Sequence, residues 1–180
     1  MATPPTFTVG QVLTAAQMNA VGMWKTGSYT FTGQTTAQIN NCFTDDFDKY
    51  QIVYNLRLGS GAAGINMRLS SGGTPNATAA SYVVGGRYVG YPTVGAADFN
   101  GAYTEWQFTY TGTFSAALSI IVTDPKAARP TAFTGNAAST NAAVSFAGYH
   151  NQSVAYDGIY LFNTGATAMY GTVNIYGFRN

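Results

Sequence analysis

Three carboxylates stand within four residues at Asp45, Asp46 and Asp48. Such a run could share a calcium ion with backbone carbonyls. No glutamate follows at EF-hand spacing, and short Asp side chains also close turns by bonding to their own backbone. The expectation is a solvated turn leading into a strand from Lys49. His150 is the single histidine. With a serine nucleophile and an orienting aspartate it could serve as a general base. Ser145, Ser153 and Asp157 are near in sequence, but no G-x-S-x-G elbow accompanies them, so a hydrogen-bonded structural role is expected. Cleaving a glycosidic bond would need two carboxylates facing one cleft, and Asp98, Glu105, Asp124 and Asp157 are isolated along the chain. One histidine and one cysteine, Cys42, cannot assemble the common zinc constellations or an intrachain disulfide. No catalytic residue, metal site or cofactor is therefore expected.

Two glycine-rich stretches, Gly59-Ser60-Gly61 with Gly64 and Ser71-Gly72-Gly73, could cradle phosphate only if a helix followed. None is predicted after either, so both are expected to be turns. Asn76-Ala77-Thr78 and Asn151-Gln152-Ser153 match the glycosylation pattern. No secretory leader is visible in MATPPTFTVG, so these are expected to be chance matches.

The scaffold for so little titratable chemistry is itself informative. The 180 residues are 46% hydrophobic but only 8% charged, with a net charge of +1. Ordinary globular chains carry about 25% charged residues. The balance argues against nucleic-acid binding, which needs a clustered basic excess. No apolar run reaches the ~20 residues of a transmembrane helix. Twenty-one glycines, thirteen tyrosines and eleven phenylalanines describe a turn-rich, aromatic-rich chain, the composition of an all-β protein.

Residues 11–24 carry the single helix signal. Thr14 is placed to cap, with Gln17 three residues on, and Gly22 is placed to end it. A two-turn helix is marginal alone, so it should dock on its own domain, on a partner or on sister subunits. Phe7, Val9, Val12, Leu13, Met18, Val21 and Trp24 are the expected attachment residues. From residue 28 the period becomes two. Strands are predicted at 28–32, 39–43, 50–58, 65–70, 82–91, 103–114, 117–122, 144–149, 159–162 and 173–178. The 50–58 and 65–70 runs are expected to pair as a hairpin, 82–91 to bulge or bend at its glycines, and 71–80 and 124–143 to be long polar loops. The predicted fold is an antiparallel β-sandwich of jelly-roll type over residues 26–180, preceded by an arm and short helix over 1–25. Tyrosines beyond what one core can hold suggest contacts with partners or glycans; Tyr82, Tyr88, Tyr91 and Tyr149 are the candidates.

The segment TFTVGQVLTAAQMNAVG at residues 6–22 resembles an N-terminal segment that recurs in tail fibres, tailspikes and minor structural proteins of tailed bacteriophages. The run FTDDFDKYQIVYNLRLGSGAAGINMRLSSGG and the ending Val173-Asn174-Ile175-Tyr176-Gly177-Phe178 resemble the β-domain of such proteins. The resemblance implies a virion protein made in bacterial cytoplasm, commonly a homotrimer, with its N-terminus toward the particle and its β-domain outward. The expected partners are itself, other virion proteins and host-surface glycans, with no nucleic acid and no membrane insertion. Three roles remain open: a tail-fibre or tail-tip subunit, a capsid decoration or cement protein, and a glycan-binding or glycan-cleaving module.

Overall fold

The computed structural model describes residues 9–12, 22–61, 63–90, 96–111, 115–139 and 142–178. Two antiparallel sheets enclose one apolar core in a sandwich-like all-β fold. The strands are β1 (Trp24–Thr32), β2 (Thr36–Ile39), β3 (Lys49–Leu58), β4 (Ala63–Ser71), β5 (Thr74–Pro75), β6 (Tyr82–Gly90) and β7 (Ala96–Tyr103). They continue with β8 (Trp106–Thr111), β9 (Ala116–Thr123), β10 (Thr131–Ala138), β11 (Ala142–His150), β12 (Gly158–Asn163) and β13 (Met169–Phe178). The large sheet runs β1-β13-β3-β9-β10-β11-β6-β7. The small sheet runs β2-β12-β4, with β5 and β8 both pairing β4.

Strict alternation builds the core. In β3, Tyr50, Ile52, Tyr54, Leu56 and Leu58 are buried while the residues between them face outward. Leu118, Ile120 and Val122 of β9 lie beside them at matched register. Ile65, Met67 and Leu69 of β4 and Ile159 and Leu161 of β12 close the core from the small sheet. Each such side chain removed from water contributes about 1.5–3 kcal/mol.

Several expectations change. β3 and β4 do not form a hairpin; β3 pairs β13 and β9, whereas β4 pairs β12, β5 and β8. Both strands have an apolar face, and facing each other across the core buries both at once, which edge pairing would not. The 39–43 run is not a strand beyond Ile39: β2 ends there, and Cys42 and Phe43 are buried in the following turn. The 103–114 run divides at Thr104–Glu105 between β7 and β8. The 124–143 segment is not one long loop, because it contains β10. No bulge interrupts β6, whose ladders to β7 and β11 run without a register shift. Its Gly86 is there for clearance: a β-carbon would strike the Phe99 ring. Gly135 and Gly148 likewise leave room for Phe146 and Phe133.

Residues 13–21 of the expected helix lie outside the described residues. Gln11 and Val12 are not helical, and Trp24 opens β1 instead of ending a helix. Its ring stacks on Phe47 at 5.7 Å, and its backbone pairs with Gly177. β1 therefore begins two residues before residue 26, the expected start of the β-domain.

Candidate functional site

Among the attachment residues, Val9 and Val12 are fully solvent-exposed. Phe7, Leu13, Met18 and Val21 lie outside the described residues. Trp24 packs within the domain, as above, so it is not a free anchor. Of the glycan candidates, Tyr82 has no exposed surface. It belongs to the core, where the alternation of β6 points it inward. Tyr88 and Tyr149 are exposed, and Tyr91 lies outside the described residues. Most of the aromatic excess is absorbed by packing: Phe31, Phe43, Phe47, Tyr50, Tyr54, Trp106, Phe108, Phe133, Phe146 and Tyr156 are all buried.

His150 is buried at the end of β11. Its Nε2 lies 2.6 Å from the Tyr156 hydroxyl, which accepts a bond of 2.7 Å from the Asn76 side-chain amide. The ring stacks on Tyr82 with centroids 4.1 Å apart. The Tyr82 hydroxyl donates to the Asn76 carbonyl and accepts from the Leu69 amide. Burial pushes the His150 pKa down to about 4, although a backbone contact with Ser81 favours the charged form. This cluster ties β11 to the 71–80 connection and the chain before β12. It brings Tyr82, His150 and Tyr156 together, a meeting that spacing alone did not reveal.

The carboxylates are each committed elsewhere. Glu105 binds Arg68 at 3.0 Å and accepts a short bond from the Thr104 hydroxyl. Burial pushes its pKa up, but these bonds together outweigh that and leave it below the usual range. Asp124 binds Arg129 at 2.8 Å, and Asp98 lies 3.6 Å from Arg87 on the exposed face of the large sheet. Both oxygens of Asp157 accept from the Gly72 amide. Among the described residues, no group of three or more His, Cys, Asp or Glu is placed to hold a metal ion, Asp45, Asp46 and Asp48 included. Asp46 instead exchanges local bonds with Thr44, as the turn reading expects.

Cys42 is fully buried, and burial raises its thiol to about 12. The thiolate is the reactive form. Native protein at pH 8 is expected to resist a thiol-specific disulfide reagent and to react stoichiometrically once denatured, as an absorbance assay reports.

Two depressions mark the outer face of the large sheet. The larger, about 580 Å³, is floored by small or apolar residues, among them Val53, Ala117, Ala138 and Ala143, with Ser119, Asn136, Ser145 and Arg87 around them. The smaller, about 210 Å³, is polar and is lined by Asn55, Arg57, Ser115, Tyr170, Gly171 and Thr172. Apart from Ser145 at the larger one, neither includes a residue singled out from the sequence. Outward positions of a strand carry no period that separates a binding surface from ordinary solvent exposure. Among the described residues no helix is long and apolar enough to cross a membrane. No protein-family model matches the chain, and no curated protein or solved structure matches it at a significant level.

Proposed function

We propose that this chain is a non-enzymatic structural subunit of a tailed-phage particle, a tail-fibre or tail-tip protein held by its N-terminal segment. The observation that carries the reading is the winding of the chain. The order β1-β13-β3-β9 in one sheet faces β2-β12-β4-β8 in the other, so the chain folds as a nested double strand from its two ends inward. We read this nesting as the winding of a jelly roll, an architecture recurrent in viral capsid and lectin domains. The β10-β11-β6-β7 extension widens one sheet of it. The segment at residues 6–22 supplies the second support through its likeness to phage anchoring segments.

In this reading the N-terminal segment docks on a virion protein, and three copies of the chain associate. Trimeric display multiplies weak contacts into firm attachment. The outer β-domain is left to meet host-surface glycans. Bond cleavage has little support, since Asp98, Glu105, Asp124 and Asp157 serve separate partners.

Because β1 begins at Trp24, the decisive truncation removes residues 1–21. The truncated chain is expected to fold with unchanged cooperativity yet to be missing from purified particles, counted by quantitative mass spectrometry. Unchanged incorporation would overturn the anchor assignment. In the full-length case, tens of copies per particle are expected; hundreds would favour capsid decoration instead. Sedimentation of the purified chain is expected to give a trimer.

A further inference from the structure

On a surface this poor in charge, one arginine stands apart. Among the described residues Arg68, Arg87 and Arg129 each have a carboxylate partner, at 3.0, 3.6 and 2.8 Å. Arg57 has none. Its guanidinium lies over the Tyr170 ring, 4.6 Å from the centroid. Tyr170 sits directly opposite Arg57 across the β3–β13 ladder, and Thr172 sits opposite Asn55. Ser115 precedes β9, whose first residue Ala116 opposes Leu56, which brings it beside Arg57. These side chains line the polar depression of about 210 Å³.

Two features make the depression a shaped one. The Tyr170 ring lies against Gly59, where an added β-carbon would come within 3.1 Å of it, so this side of the platform under the guanidinium is closely packed. Gly171 lines the wall with φ +125°, and a β-carbon there would meet the Asn55 carbonyl oxygen. A glycine inside a strand marks a place where another group approaches the backbone closely. The side-chain polar groups of Asn55, Ser115, Tyr170 and Thr172 make no hydrogen bond to another described residue, so an amide and three hydroxyls remain free for a ligand.

We propose that this depression binds a carboxylate-bearing sugar residue. The planar guanidinium fork matches a carboxylate in two parallel bonds, the geometry in which arginine exceeds lysine. The surrounding amide and hydroxyls are neutral and can both donate and accept, which suits the hydroxyls of a sugar ring more than a bare ion. The stacked position of Arg57 means that little side-chain freedom is lost on binding. The proposal rests on the outward-facing role given above, but its test uses the isolated chain, so it can fail while particle incorporation stands.

The test is a ¹H–¹⁵N NMR titration of the full chain with glucuronic acid, glucose and acetate in parallel, following the Arg57 Nε–H and the Tyr170 and Thr172 amides. Glucuronic acid is expected to give saturable shifts at these positions, with affinity at least about tenfold above glucose and above acetate. Arg57→Gln is expected to weaken glucuronic acid by about tenfold or more, and Arg57→Lys to fall between. Thr172→Val, which leaves the guanidinium in place, is expected to reduce affinity for the sugar while leaving that for acetate unchanged. Equal affinity for glucose would overturn the carboxylate assignment. Equal affinity for acetate would overturn the sugar assignment. Absence of saturable shifts at these residues in the wild-type chain would overturn the site.

Discussion

Replacing Trp106 with alanine is expected to cost about 4 kcal/mol of stability, the upper range for a buried aromatic. The ring has no exposed surface and sits at the meeting of two sheets. It lies 4.3 Å from Phe133 of β10 and 5.3 Å from Tyr82 of β6, and its neighbour Phe108 lies 5.2 Å from Phe146 of β11. Thus β8 fills the space beneath the extension of the large sheet. The cost is one of packing, because the indole N–H has no hydrogen-bond partner among the described residues. That gives the prediction a sharper second half. Trp106→Phe removes the unsatisfied donor along with part of the ring, so relief of its desolvation cost offsets part of the cavity. Its loss is expected to be about 1 kcal/mol. Urea denaturation of both variants measures the difference; equal losses would show that the aromatic layer does not hold the extension in place.

Acid is expected to weaken the fold well before its carboxylates titrate. His150 has a native pKa of about 4 against an ordinary value of 6.5. Between those values the unfolded chain binds a proton that the native chain excludes, so stability rises with pH. The His150 contribution is complete above about pH 6.5 and is lost as pH falls toward 4. A shift of this size corresponds to about 3 kcal/mol. Glu105 is depressed in the other sense for a carboxylate: its contribution is present above its ordinary value of 4.5 and is lost below it. Most of the slope between pH 6.5 and 5 therefore belongs to the histidine. Urea midpoints across this window are expected to fall steeply for the wild type and to stay flat for His150→Gln. An equally steep fall in the variant would assign the effect elsewhere.

Much of the sandwich could be read from alternation, because a half-buried strand has to expose every second residue. β3, β9, β12 and β13 were legible for that reason. β10 was not: Thr131-Ala-Phe-Thr-Gly-Asn-Ala-Ala has small residues on its inner face wherever Phe133 is not, and the space is filled by Phe146 from the neighbouring strand. A strand whose core is supplied by its neighbour looks polar when read alone. Pairing was less legible still. A short glycine-rich connection between two alternating runs is as suited to crossing between sheets as to turning within one. The His150 cluster depends on contacts spanning Leu69 to Tyr156, and the Arg57 depression on a ladder between residues more than a hundred positions apart. Neither distance leaves a local signal.

The pairing of β13 between β1 and β3 bears on how the chain is made. The strand at residues 169–178 is an interior member of the large sheet, not an addition to its edge. Until translation has run past it and those residues have cleared the ribosome, β1 has no ladder partner in this sheet and β3 is open along one side. Until then the nascent chain carries two unsatisfied strand edges, the condition under which β-proteins misassemble.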